Sequence, residues 1–201
     1  MLTFQRLSGQ ALNQYIDELA QLRMQVFRDF PYLYDGDLAY EARYLKTYIE
    51  APDSVIVLAF DGDKVVGAST GVPLRHEMDE VKQPFLDAGL NLDEIFYCGE
   101  SVLLSEYRGQ GAGVAFFNHR EAHAESLEGM KYSCFCAVQR PDNHPARPAD
   151  YQPLDQFWRN RGYKKRSELA THFSWKEVSE SEESLKPMTF WMKPLTNTVR
   201  L

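Results

Sequence analysis

Residues 96–127 read FYCGESVLLSEYRGQGAGVAFFNHREAHAESL, and the way this stretch is parsed decides the fold. Ile95 to Leu104 is rich in apolar residues and has the length of a strand. Tyr107-Arg108-Gly109-Gln110-Gly111-Ala112-Gly113 follows, with glycines at alternate positions. Val114, Phe117, Ala124 and Leu127 then recur at helical spacing. Strand, glycine turn and helix come in the order that anion binding needs. The first N–H groups of a helix lack internal partners, and the helix dipole is positive there. Glycines remove the Cβ atoms that would hold a phosphate away, and they permit positive φ. Arg108 adds positive charge and Gln110 adds donors. The plainer alternative is a tight turn in which the glycines only shape the chain.

Two familiar phosphate motifs fit poorly. A P-loop ends in Gly-Lys-Ser or Gly-Lys-Thr, whereas this turn ends Gly-Ala-Gly-Val. A dinucleotide fingerprint wants G-x-G-x-x-G near the start of a βαβ unit, whereas the spacing here is G-x-G-x-G on a later strand. A third pattern fits. Arg108 to Gly113 matches R/Q-x-x-G-x-G/A, the acyl-CoA pyrophosphate signature of the GNAT superfamily of N-acetyltransferases. Leu103 to Tyr107 stands where that family often has V-x-P-x-Y. Phe157-Trp158-Arg159-Asn160-Arg161-Gly162-Tyr163 resembles its F/L-Y-x-x-x-G-F segment, with one strand, Tyr132 to Val138, between.

The resemblance implies an α/β (α+β) fold of GNAT type: a central mixed, mostly antiparallel sheet of about seven strands. That sheet is splayed between the fourth and fifth strands and carries helices on both faces. The rest of the chain follows that order. Leu2 to Leu7 reads as a strand. Leu12 to Phe27 and Tyr40 to Ile49 show helical periodicity, and Ser54 to Val72 forms a hairpin about Asp61-Gly62-Asp63. Residues 75–93 read as an insert of one or two helical turns, with Pro84 interrupting. Gln139 to Pro153 is a long loop, functional or mobile. His172 to Val178 and Met188 to Lys193 read as a closing pair, joined by the solvated connector Ser179 to Ser184. No repeat or linker divides the chain, so one domain over 1–201 is expected.

The resemblance also implies site roles. Acetyl-CoA is the co-substrate, its diphosphate held by Arg108, Gly109, Gln110, Gly111, Ala112 and Gly113. The pantetheine arm pairs with the open strand edge at Val102, Leu103 and Leu104, and the Leu103 backbone polarises the thioester. Asn143 resembles the Asn that family members set against the CoA arm. Glu100 is the leading general base. Along an unbroken strand it shares a face with Phe96, Cys98, Val102 and Leu104, and would be desolvated there. The alternative is a structural Glu, bonded to a neighbouring strand or turned outward by a bulge. Trp158 stands where many members have a Tyr acid; Tyr97, Tyr163, Tyr107 and Cys136 are unranked substitutes. For the acceptor, Phe30, Tyr32 and Tyr34 with Asp35 and Asp37 form an aromatic, acidic cluster that could seat an ammonium, or simply pack under a solvated turn. Arg140 and Arg147 could instead meet an anionic acceptor or the adenosine phosphates.

Composition sets the bounds. The chain has 201 residues, is 44% hydrophobic and carries a net charge of −7. That charge disfavours nucleic acid and mildly favours a cationic partner. No run spans a membrane and no signal peptide is evident, which points to the cytoplasm. Cys98, Cys134 and Cys136 read as reduced core thiols. His119 and His123 share a helix face without H-E-x-x-H, so no metal is expected. The expected activity is acetyl transfer from acetyl-CoA to a primary amine of a small molecule or protein, by direct attack in a ternary complex. A non-catalytic acyl-CoA sensor or scaffold, and an enzyme using the same turn for a nucleotide phosphate, are the alternatives. A homodimer is possible, with the C-terminal strand as a contact.

Overall fold

The structure, a computed structural model, describes residues 1–196. The elements run β1 (Thr3–Leu7), α1 (Ile16–Phe27), α2 (Leu38–Glu50), β2 (Val55–Asp61), β3 (Lys64–Pro73), α3 (Asp79–Asp87), β4 (Ile95–Tyr97), β5 (Ser101–Leu103), α4 (Ala112–Ser126), β6 (Tyr132–Val138), α5 (Asp155–Asn160), β7 (Lys164–Trp175) and β8 (Ser184–Pro194). The sheet order is β1-β2-β3-β4-β6-β8-β7, with β5 paired to β3. Only β4 with β6 is parallel among the described pairs. There are eight strands instead of about seven, because Ile95 to Leu104 is two strands rather than one. β7 begins at Lys164, well before the expected His172. β8 lies between β6 and β7, so it has no free edge to offer a second copy of the chain.

The interruption of the expected strand sets the geometry of everything near it. β4 pairs with β6 through Ile95↔Tyr132, Phe96↔Ser133 and Tyr97↔Cys134, and one further bond runs from Cys98 N–H to Cys134 O at 2.7 Å. Beyond that point β5 pairs with β3 alone while β6 continues beside β8, so the two strands part. Cys98-Gly99-Glu100 lies at the break. Gly99 N–H donates to Thr70 O at 3.2 Å, and Glu100 N–H donates to Thr70 Oγ1 at 3.2 Å. Buried Arg120 of α4 donates Nη1 to Thr70 O at 3.2 Å and to Glu100 O at 2.9 Å. Gly99 is required by contact rather than by φ. A Cβ there would stand 2.2 Å from Tyr48 Oη and 2.6 Å from Thr70 Oγ1.

The break also changes which face each side chain takes. Phe96 meets His123 of α4, with ring centroids 5.7 Å apart. Cys98 Sγ lies 3.6 Å from Ser133 Oγ, which in turn meets Tyr163. Glu100 instead faces α1 and α2, where Arg23 and Tyr44 hold it. The shared apolar face expected for Glu100 with Phe96 and Cys98 is therefore absent. On α4 the buried side is Ala112, Phe116, Phe117, Arg120 and Ala124, whereas Val114 is exposed.

The segment 75–93 is a fuller element than expected. Pro84 sits inside α3 instead of ending it. Proline has no N–H for the carbonyl four residues back, and Thr171 Oγ1 of β7 donates to that carbonyl, Glu80 O, at 2.8 Å. Val81 and Phe85 are buried, and Phe85 meets Phe190 at 4.8 Å. The connector Ser179 to Ser184 is largely exposed, as expected, and is also pinned at Glu180 and at both its flanks. Glu177 and Lys186 are buried, and Glu180 accepts from Glu177 N–H, Ser184 Oγ and Lys186 Nζ. Those partners hold the Glu180 carboxyl down at about 2. Among the described residues no helix is long and apolar enough to cross a membrane.

Candidate active site

The glycine turn forms an open cup. Gly109 and Gly111 have φ of +76° and +86°, and a Cβ at either would meet nothing within 4 Å. An L residue is strained at such angles, which is why glycines recur here. Ala115 N–H bonds back to Gly111 O, but the N–H groups of residues 109–114 have no acceptor among the described residues. Gly111 caps α4 without a side-chain cap. A run of unpaired donors at the positive end of a 15-residue helix suits a diphosphate. Arg108 stands exposed at its rim, with Nε donating to Leu103 O at 3.4 Å. Gln110 Nε2 turns back to Glu106 O at 3.3 Å. Ala112 is buried, and a Cβ on Gly113 would meet Phe157 of α5 at 3.3 Å.

A cleft of about 1070 Å³ occupies the gap between β5 and β6 and reaches Arg108, the residue just before the cup. Ser101, Leu103 and Arg108 line one side, Ala137 and Val138 the other, and Trp158 of α5 closes the end. Leu104 N–H donates to Val66 O at 3.0 Å, and Thr70 N–H donates to Glu100 O at 3.1 Å. By strand alternation the backbone groups of Glu100, Val102 and Leu104 point to β3. Those of Ser101 and Leu103 point into the gap, where a peptide-like arm can pair. Of the three residues expected to offer an open edge, Leu103 therefore does so, while the backbones of Val102 and Leu104 are directed to β3. A separate groove of about 570 Å³ between α3 and β7 shares no residue with this cleft.

Behind the gap lies a buried polar network. Arg23 of α1 pairs with Glu41 of α2 and with Glu100. Its guanidinium also stands 4.1 Å from the centre of the Tyr44 ring. Burial alone would lower the Arg23 pKa; Glu100, Tyr44 and Glu41 raise it overall. Tyr44 Oη donates to Glu100 Oε2 at 2.8 Å, and Tyr48 Oη lies 2.8 Å from Glu77 Oε1. Burial raises the pKa of both phenols, helped by Glu100 for Tyr44 and Glu77 for Tyr48. Glu100 is thus held by a cation and a phenol rather than by apolar neighbours.

The remaining expected residues fall into two groups. Phe30 and Tyr32 line the cleft, Phe30 edge-on to Tyr151 at 4.7 Å. Tyr34 turns towards Glu41, which with burial raises its pKa. Asp37 caps α2 by accepting Tyr40 N–H at 2.9 Å, and Asp35 pairs with Lys176 at 2.8 Å. The acidic half of that cluster is therefore used by the fold. Asn143 is exposed and does not line the cleft. Arg140 is taken up by structural contacts: it donates to Pro31 O and Tyr32 O and pairs with Glu177. Arg147 pairs with Asp142 at 3.2 Å.

Of the alternative acids, Tyr107 donates to Asp61 at 2.9 Å and Tyr163 is buried against Ser133 and Glu121. Tyr97 Oη and Cys136 Sγ meet at 3.1 Å, and burial pushes the Cys136 thiol up to about 12. His123 meets Asp53 O at 2.8 Å, and no group of three metal-ligating side chains occurs among the described residues. Arg23, Glu41, Glu77 and Arg120 went unread in the sequence. Their only signal is a charge placed on an otherwise apolar helix face or, for Glu77, near the start of the insert.

The sequence pattern described as the acetyltransferase (GNAT) family matches residues 16–149. No curated protein matches the chain. Among solved structures, Arabidopsis thaliana NAA60 in complex with acetyl-CoA aligns at 12% identity and TM-score 0.63, covering 97% of this chain and 99% of that one. An aminoglycoside 6'-N-acetyltransferase complexed with coenzyme A aligns at 16% identity and TM-score 0.57, covering 96% and 97%. The ribosomal-protein-S18-alanine N-acetyltransferase from Escherichia coli aligns at 9% identity and TM-score 0.58, covering 97% and 94%. At these identities the likeness is one of fold.

Proposed function

The chain belongs to the acetyltransferase (GNAT) family, and from that premise we propose that it transfers an acetyl group from acetyl-CoA to a primary amine. The observation that carries this reading is the open turn at Gly109 and Gly111, next in sequence to Arg108, which lines the cleft where β5 leaves β6. In this reading the cup and Arg108 hold the diphosphate. The free edge at Ser101 and Leu103 pairs with the pantetheine amides and aims the thioester. A donor fixed on a strand edge stabilises the oxygen that becomes negative during acyl transfer. Acceptor and thioester held together make the attack effectively unimolecular.

Glu100 stands behind the gap as the candidate base for the amine's proton. The acceptor enters beside Phe30 and Tyr32, in a protein of net charge −7 that favours a cationic amine. That the solved relatives include enzymes named for an aminoglycoside and for a ribosomal-protein alanine supports an amine acceptor of either size.

One observation favours a second reading, an acyl-CoA-binding domain without turnover. Trp158 packs on Phe135 and Trp191 at the place where a phenol was sought. A single assay separates the two: incubation with acetyl-CoA and a panel of amines, following free thiol. Amine-dependent thiol release is expected. Tight acetyl-CoA binding with no release by any amine would leave only the sensor reading.

A further inference from the structure

Glu77 is buried at 6% exposure where the insert leaves the sheet, and the proposed reaction does not use it. Three oxygen–oxygen contacts run in series from it. Glu77 Oε1 lies 2.8 Å from Tyr48 Oη, Tyr48 Oη lies 3.0 Å from Tyr44 Oη, and Tyr44 Oη lies 2.8 Å from Glu100 Oε2. At such distances each contact needs a hydrogen between its two oxygens. The two phenols supply one each, and an ionised carboxylate supplies none. With both carboxylates charged, three contacts share two hydrogens, and one pair of buried oxygens faces lone pair to lone pair.

We propose that Glu77 carries the missing hydrogen at neutral pH, so that Glu77 donates to Tyr48, Tyr48 to Tyr44 and Tyr44 to Glu100. The order follows from what stands at each end. Glu100 also faces Arg23, whereas Glu77 has no ion pair among the described residues. Its other oxygen accepts only Met78 N–H at 3.3 Å. Charge points the same way. Arg23 pairs with Glu41 and Glu100, whereas no ion pair among the described residues reaches buried Glu77, so a neutral Glu77 removes a buried charge that has no ion-pair partner.

The titratable groups around Glu77 are Tyr44 and Tyr48 of α2, Glu100, Tyr97 of β4, Cys134 and Cys136 of β6, and Lys82 of α3. Of these only Lys82 is a cation. Burial raises the Glu77 pKa above the usual carboxylate range, with the Tyr48 bond opposing.

Glu77 is then a positioning residue. Its hydrogen sets the direction of both hydroxyls and keeps a donor aimed at Glu100, which stays the anion of the set. That role rests on the acetyl-transfer reading; the hydrogen count does not. The test is carbon NMR of protein labelled at the glutamate carboxyl carbons, titrated from acid to alkaline pH. One carboxyl is expected to keep its protonated shift at neutral pH, and Glu77→Gln is expected to remove that one signal. The side-chain amide that Glu77→Gln introduces can still donate to Tyr48, so this variant keeps the chain of bonds. A fully ionised set at neutral pH, or a protonated signal that survives Glu77→Gln, overturns the proposal.

Should Glu77→Gln fail to fold, Tyr48→Phe gives a second test. In the natural chain the Glu100 carbon is expected to shift with the midpoint of Glu77, and in Tyr48→Phe to stop following it. Continued following overturns the proposal. Thiol release from acetyl-CoA is read in parallel. Glu77→Gln is expected to move the pH midpoint of kcat while KM for acetyl-CoA stays put. An unmoved midpoint overturns the positioning role. No turnover by the natural chain removes the acetyl-transfer reading and leaves the hydrogen count to the NMR.

Discussion

The cup and the carboxyl–tyrosine network lie at the two ends of β5, and they treat polar groups in opposite ways. At residues 109–114 the backbone donors have no acceptor among the described residues, and a Cβ at Gly109 or Gly111 would meet nothing within 4 Å. Around Glu100 charged groups and phenols are buried together and bonded to one another, although Glu41 Oε1 and Arg120 Nε have no hydrogen-bond partner among the described residues. An open set of donors contributes little to folding and is available for a guest. A closed network contributes to folding and tolerates few changes, because removing one member leaves another buried and unmatched. Binding and stability should therefore separate along this strand, and substitutions at its two ends should show it.

The largest expected effect is from Arg23→Met. It leaves Glu41 and Glu100 buried without their cation and should cost about 3–5 kcal/mol in urea denaturation. An unchanged midpoint would mean the ion pairs are not made.

Next comes one substitution made at each end. Gly99→Ala drives a Cβ into Tyr48 Oη and Thr70 Oγ1 and should cost about 1–3 kcal/mol. Gly111→Ala meets no neighbour, so its stability cost is the left-handed strain of about 1–2 kcal/mol. Its methyl group enters the cup, however, and acetyl-CoA affinity in calorimetry should fall about tenfold or more, about 1.4 kcal/mol. If Gly111→Ala binds acetyl-CoA normally, the cup is not the diphosphate site.

Arg108→Ala should weaken acetyl-CoA by a smaller factor that shrinks in high salt, and leave stability within about 0.5 kcal/mol, since the side chain is exposed. Equal loss at all salt concentrations would argue against a charge contact.

The smallest effect concerns pH. Glu180 is held at about 2, below its ordinary 4.5. Its contribution is present above that ordinary value and is lost as pH falls through about 2. Solvent screens this partly exposed group, so only a shallow slope in acid is expected, flattened by Glu180→Gln in thermal melts. An identical slope in the variant would remove Glu180 as its source.

What was legible in the sequence follows the same division. The cup is built by consecutive residues, and its chemistry belongs to the backbone. Three glycines at alternate positions before a helix are enough to announce it. The network draws on α1, α2, the insert and the start of β5, and no local pattern joins Arg23 to Glu77. Tyr44 and Tyr48 fit the helical periodicity of Tyr40 to Ile49, which carries no sign of the partners of their hydroxyls. The break at Gly99 carried no proline and no polar run, so Ile95 to Leu104 read as one strand and Glu100 was assigned to the wrong face. Arg120, which supports that break from α4, lay hidden in a helix face that otherwise reads as apolar. The long loop 139–153 gave length but not attachment, because what ties it down comes from elsewhere in the chain.

That attachment has a consequence for how anything enters the cleft. Arg140 reaches from the loop to the carbonyls of Pro31 and Tyr32 and to Glu177, so three distant stretches meet on one guanidinium. The mouth is thus a tied arch rather than a flap. Its ordering is complete when the chain folds, so a guest in the cleft it lines need not order it on arrival. Amide exchange in this arch should then be slow before the guest arrives and scarcely slower afterwards.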